Sequence, residues 1–372
     1  MNEIFFLGGF LLLIAGILTL DLGVFNRHTH EVKLKEALGF TVLWVSLALL
    51  FFVFLRFFGH LIHDIQTQEQ LDAINLNHRH GLKFLAESDF VQNLQLYRKQ
   101  LSMEFITGYL IEYALSIDNI FVILMLFMSF KVDRQYHHRV LFWGIIGAVI
   151  MRFIFIFTLS ALVHKFEWVL MMFGVILIYS AIKMFLNRNT EENVEEEEHR
   201  IVKTVSKYFR VTKNFIGEKF FAKIDGKRYI TPLFLVLIII EVSDVIFAVD
   251  SVPAIFSITK DSYIVFFSNI FAIIGLRSLF FLLSSIMKMF RFLKTGLSVL
   301  LAFVGVKMLL EFIIRIHISI QFSLIFILSI LVLCILFSIL IPEKTKQEEI
   351  NNEKETDCEE PVINNNDMEK IY

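Results

Sequence analysis

Two stretches of strongly apolar sequence carry acidic residues at matching intervals. Glu112 and Asp118 stand six apart, with Asn119 after the second acid; Asp244 and Asp250 stand six apart, with Ser251 after the second acid. Each member of the later set follows its counterpart by 132 residues. Glu241 adds a fifth carboxylate, and Ser116 and Ser243 place hydroxyls beside the acids. Carboxylate, amide and hydroxyl oxygens form a hard donor set that suits Mn²⁺, Mg²⁺ or Ca²⁺ rather than Cu⁺ or Zn²⁺. The expected chemistry is therefore binding of a divalent cation, with manganese or a relative favoured. Asp118, Asn119, Asp250 and Ser251 are the expected ligands, and Glu112, Glu241 and Asp244 are further ligands or proton carriers.

The match between the two stretches extends beyond the acids. Each is followed by an arginine-bearing apolar run (Gly147 to Arg152, and Gly275 to Arg277), then by a run ending in Ile182-Lys183-Met184-Phe185 or Val306-Lys307-Met308-Leu309. The repeat unit is thus three spans. An odd number of spans makes the second copy enter the membrane from the opposite side, the inverted-repeat arrangement of many secondary transporters.

An ionisable residue at the bilayer centre costs about 2.5 to 3.5 kcal/mol on insertion scales, so such residues face one another, water or an ion. Arg152, Arg277, Lys183 and Lys307 could pair with most of the acids, which would make the whole set a structural ion-pair cluster. Two features favour an ion site. The acids sit on the first helix of each repeat, and neutral oxygen donors accompany them, which a pure ion-pair scaffold does not need. Asn269 could add an amide oxygen or a helix-bridging hydrogen bond. Positions 112, 116 and 119 share one helix face, whereas residues six apart are separated by about 120° around a regular helix. Pro253, close to Asp250, removes a backbone donor. The expectation is an asymmetric break, with residues 250 to 253 irregular and residues 118 to 121 less so.

The elements that position these groups follow from hydropathy. Of the 372 residues 56% are hydrophobic, more than a water-soluble domain typically carries. Apolar runs long enough for about 30 Å of hydrocarbon fall near 4–24, 38–58, 104–130, 139–162, 168–187, 231–256, 262–286, 293–314 and 319–341. The fold class is therefore an all-α polytopic membrane protein of about nine transmembrane helices containing an inverted 3+3 repeat. The first run lacks a basic leader and a small-residue cleavage site, so it reads as a retained span. Basic residues concentrate in alternate connections (Arg27, Lys33 and Lys35; Lys131, Arg134 and Arg139; Lys288, Arg291 and Lys294), which predicts an outside N-terminus and a cytoplasmic C-terminus in the cell (inner) membrane.

The expected organisation is two N-terminal spans (1–58), an extracytoplasmic loop (59–101), the first three-helix repeat (102–187), a cytoplasmic linker (188–228), the second repeat (229–316), a last span (317–342) and a disordered tail (343–372). The linker holds the acidic run Glu195 to Glu198, which reads as a solvated segment. Asp21 reads as an interfacial cap. The histidine pairs His28/His30, His78/His80 and His137/His138 lack the further ligands of a closed zinc site. Cys334 and Cys358 form no disulfide framework. No Gly-x-Gly-Asp signature of an intramembrane aspartyl protease and no phosphate-binding loop of an ATP-driven pump is present. The chain is not expected to be an enzyme, to hold a permanent cofactor or to bind nucleic acid.

The segment Glu112 to Asn119, together with the continuous stretch Glu241 to Ala254, resembles the TerC family of integral membrane proteins, including its Alx-type members. The resemblance runs from about residue 4 to residue 341 and includes Asn269 to Arg277. It implies that Glu112, Asp118, Asn119, Glu241, Asp244 and Asp250 match the family's intramembrane acidic motifs. The family is associated with manganese export and, in some members, with tellurite resistance or insertion of other membrane proteins. Two functions are thus expected to compete: a secondary exporter of a divalent cation, Mn²⁺ above others, exchanging it for protons, and a membrane-protein insertion or assembly factor with a structural ion-pair core.

Overall fold

A computed structural model describes residues 3–23, 34–78, 82, 84, 89–166, 168–186, 210–212, 214–224, 226–286, 292–314 and 318–340, without the side chains of residues 4, 20–23, 34, 118, 121, 164, 285, 286, 293, 294 and 339. The side chains of Asp21 and Asp118, the residues His28, His30, His80 and Cys358, the acidic run at 195–198 and the tail at 343–372 lie outside the described residues.

The described chain is almost entirely helical: α1 (Glu3–Gly23), α2 (Leu34–Phe58), a single 3₁₀ turn (Gly59–Leu61), α3 (Gln68–Asn77), α4 (Phe90–Ser129), α5 (Arg134–Lys165), α6 (Trp168–Leu186), α7 (Pro232–Phe256), α8 (Ser262–Ile286), α9 (Leu293–Ile313) and α10 (Ile320–Leu340). Lipid offers no hydrogen-bond partners, so an apolar chain at membrane depth must bond its own backbone, and the helix does so within one segment. Eight of these helices are long and apolar enough to cross a membrane; α1 carries a shorter apolar stretch, Phe5–Thr19.

The described residues between 59 and 101 include the 3₁₀ turn, α3 and the first turns of α4. Thr67 starts α3 with a reciprocal cap, its hydroxyl accepting the Gln70 N–H at 3.3 Å while the Gln70 side chain accepts the Thr67 N–H at 3.3 Å. The 40 residues of α4 make it about 60 Å long, twice the hydrocarbon thickness, so its first turns stand clear of the apolar layer. Among the described linker residues, β1 (Phe221–Ile224) and β2 (Lys227–Ile230) form an antiparallel hairpin that leads straight into α7. Arg139 at the start of α5 holds this region, bonding Glu218 at 3.1 Å and covering the Phe220 ring at 5.1 Å.

Helix α8 is the centre of the bundle, buried along nearly its whole apolar length. It packs on α4, α2 and α5; α5 also packs on α7, and α6 on α9. Exchanging α4-α5-α6 with α7-α8-α9 reproduces the pairings of α4 with α8 and of α5 with α7. Apolar lipid provides no hydrophobic drive for helices to associate, so close packing must hold them. At the α6–α9 contact Gly174 and Gly305 face each other, and a Cβ on Gly305 would lie 2.8 Å from the Gly174 carbonyl oxygen. Around α8 the packing is aromatic: Phe10 lies 4.3 Å from Phe267 and Phe51 lies 4.8 Å from Phe271, centroid to centroid.

Pro253 does not open its helix. Helix α7 continues through residues 250 to 253 to Phe256, and α4 is likewise unbroken at 118 to 121, so the expected asymmetric break is absent. Pro253 sits in the last turn, where its missing N–H frees only the Val249 carbonyl and the helix ends three residues later. The Ser257 N–H then bonds the Pro253 carbonyl at 3.0 Å.

Candidate functional site

Four helices meet around Arg152. This residue lies on α5 with a fully buried side chain, and a lone guanidinium in such a place is intolerable without partners. It has three. Nε and Nη2 form a fork on Asp244 of α7, at 3.2 Å to Oδ2 and 2.8 Å to Oδ1. Nη1 donates to Glu112 Oε1 on α4 and to Asn269 Oδ1 on α8. The planar guanidinium suits this task because its donors point in fixed directions that match a carboxylate edge. One cation thus ties together helices from both three-helix sets.

The helical periodicity of α4 aligns the rest. Ser116, one turn after Glu112, donates to Glu112 Oε1 at 3.4 Å, and Asn119 follows on the same face. Asn119 lines a cavity with Ser243 and Asp244, whose remaining walls are apolar and include Ile145, Ile240 and Phe247. The Asp244 side chain keeps 14% of its surface exposed, whereas Glu112 keeps none. Glu241, one turn before Asp244 on α7, lays its carboxylate where a Cβ on Gly147 of α5 would stand, so this glycine makes room for the half-buried acid.

Three buried polar atoms of this region have no hydrogen-bond partner among the described residues: Glu112 Oε2, Asn269 Nδ2 and Ser251 Oγ. A buried polar atom left without a partner costs about 1–3 kcal/mol. Two of the three are oxygens, which a cation or its water could satisfy. The charges agree with this sense: one guanidinium faces two carboxylates, Glu112 and Asp244, and Glu241 stands one turn away.

The structure separates some residues that the sequence groups together. Asp250 does not join Arg152; Ser180 on α6 donates to its Oδ1 at 3.1 Å. Ser251 beside it is buried. Lys183 is exposed in the last turn of α6, and Lys307 is buried on α9 with its amine 3.3 Å from Ser323 Oγ on α10. Neither lysine enters the Arg152 cluster. Arg277 is buried on α8. Of the histidine pairs, His137 stacks on Phe127 at 4.1 Å and bonds the Val132 carbonyl, a packing role.

Sequence reasoning passes over Ser180, whose only signal is its place one turn before Lys183. It also passes over a polar network at one end of the bundle. There Thr259 donates to Glu104 Oε2 at 2.6 Å, and His63 bridges Glu3 and Asp261.

An all-α bundle with eight apolar spanning helices and a charged centre between them defines a multi-pass integral membrane protein. The family model described as "Integral membrane protein TerC family" matches residues 97–346, and the chain belongs to that family. It is 42% identical over 300 residues to an uncharacterised membrane protein of Myxococcus xanthus, covering 81% of this chain and 82% of that one. It is 39% identical over 320 residues to a Salmonella typhi protein named "Putative membrane-bound redox modulator Alx", covering 86% and 89% of the two chains. The protein of the same name from Escherichia coli (strain K12) is 38% identical over 320 residues, covering 86% and 90%. No solved structure matches the chain.

Proposed function

We propose that this protein is a secondary transporter that exports a divalent metal cation, Mn²⁺ above others, along a path through the intramembrane acidic motifs, with Asn119 and Asp244 at the cavity, Glu112 and Glu241 beside them, and Asp118, Asp250 and Ser251 binding the ion elsewhere on the path. Protons move in the opposite direction. The observation that carries the reading is the charge count at a buried interface: Arg152 balances one of its two carboxylate partners, and Glu112 Oε2 has no hydrogen-bond partner among the described residues. An excess of buried negative charge is stable only beside a cation or a proton.

The oxygen-only donor set supports a hard cation such as Mn²⁺ as the substrate. The exchange-invariant packing of the two three-helix sets supports an inverted repeat, in which one set rocks against the other around a fixed site. Export further requires the orientation expected from the basic connections, with the N-terminus outside and the C-terminus in the cytoplasm of the cell membrane.

A second reading is an insertion or assembly factor for other membrane proteins. The fork between Arg152 and Asp244 favours it, because a satisfied ion pair can serve structure alone. Growth of cells lacking the protein separates the two. Export predicts selective sensitivity to Mn²⁺, relieved by the wild-type chain and not by Asp244→Asn. Sensitivity spread evenly over unrelated membrane stresses, or full relief by Asp244→Asn, contradicts export and favours assembly.

A further inference from the structure

His63 lies outside the candidate site, just after the 3₁₀ turn that ends α2, and its side chain is wholly buried. Each ring nitrogen faces a carboxylate: Nδ1 is 2.7 Å from Glu3 Oε1 at the start of α1, and Nε2 is 2.9 Å from Asp261 Oδ2 just before α8. A neutral imidazole has one N–H and one lone pair, so it can donate to only one of them. An imidazolium donates to both. Tyr263 takes up the other oxygen of each acid, its hydroxyl donating to Glu3 Oε2 at 3.1 Å and its backbone N–H to Asp261 Oδ1 at 2.9 Å. Donors on both oxygens of a carboxylate favour its ionised form.

Further titratable groups lie close to this network. His78, the C-cap of α3, lies 4.8 Å away ring to ring. On α4, Glu104 accepts from Thr259, and the buried Tyr97 stands near Asp261, Glu104 and Glu3. The Lys260 amine is bonded to the Phe256 carbonyl at 2.7 Å.

We propose that His63 is a proton-binding site, and that its bound proton fastens the start of α1 and the start of α8 to the end of α2. Burial alone would lower the affinity of this imidazole for its proton, but the Asp261 and Glu3 carboxylates outweigh it and push the pKa up to about 9. Against about 6.5 for a free histidine this is a roughly 300-fold tighter hold on the proton. A raised folded-state pKa means that the stabilisation is complete below about pH 6.5 and is lost as pH rises towards about 9.

Magic-angle NMR of the full chain in liposomes, with histidine ring nitrogens labelled, tests this. His63 is assigned from the signal that His63→Gln removes, or, should that variant not fold, from the signal that Glu3→Gln shifts. The expected result is one ring that keeps both protons until about pH 9 and titrates lower in Glu3→Gln. In detergent, the unfolding temperature of the wild type should exceed that of His63→Gln near pH 6.5, with the gap closing by pH 10. A His63 ring that titrates at or below about 6.5, or a gap unchanged across that range, overturns the proposal.

Discussion

Arg152 grips Asp244 with two nitrogens, at 2.8 Å and 3.2 Å, and grips Glu112 with the same nitrogen that reaches Asn269. Helices α4, α5, α7 and α8 therefore share one charged hub. Removing one partner of a buried pair costs about 3–5 kcal/mol because the other is left uncompensated. Arg152→Met should lower stability by an amount of that order. Adding Glu112→Gln and Asp244→Asn to the same chain should recover much of the loss, since the three residues act as a unit. Unfolding temperatures in detergent check this, and strictly additive losses would argue against the hub.

The α6–α9 contact predicts a second effect on stability. A Cβ on Gly305 meets the Gly174 carbonyl at 2.8 Å and the Ile178 backbone nitrogen at 3.2 Å, and backbone atoms cannot turn aside as a side chain can. Gly305→Ala should cost about 1–3 kcal/mol, the range for overpacking. Gly8→Ala, with nothing within 4 Å of the new atom, serves as the neutral comparison. Equal unfolding temperatures for the two variants would contradict the packing described.

Asp250 should behave differently from Asp244. Its hydrogen-bond partner is the Ser180 hydroxyl rather than a guanidinium, so Asp250→Asn removes a charge without stranding a buried cation. Transport should be lost while the unfolding temperature changes little. Ser180→Ala should weaken Mn²⁺ transport by up to about tenfold, the equivalent of about 1.4 kcal/mol. Flux assays beside unfolding curves test the pair, and a collapse of folding in Asp250→Asn would assign Asp250 to structure.

Much of the architecture was legible in the sequence because membrane helices are set by runs of apolar residues, and these need no partner to be recognised. The cap that begins α3 was also within reach: Thr67 and Gln70 stand at the spacing of a reciprocal cap. The Pro253 break was misjudged because the cost of a proline depends on how much helix follows it, and only three residues do. Partner choice was not legible. Glu112 and Asp244 compete for four cations in the sequence, and only the crossing of α4, α5 and α7 assigns both to Arg152. The His63 bridge joins residues separated by 60 and 198 positions, with no repeat or spacing to mark it.

Coupling to protons predicts that the pH gradient drives the cation. In proteoliposomes with an acidic lumen, Mn²⁺ should enter faster than without a gradient, and a protonophore that collapses the gradient should remove the difference. A rate indifferent to the gradient would rule out antiport while leaving cation passage untouched.

The most direct measurement is uptake of Mn²⁺ into proteoliposomes holding the purified full chain, compared with liposomes holding Asp244→Asn or the pair Asp118→Asn and Asp250→Asn. The account predicts uptake by the wild type that saturates with Mn²⁺ and falls to the level of empty liposomes in both variants. Uptake by the wild type no faster than by empty liposomes, or undiminished in the variants, would contradict it.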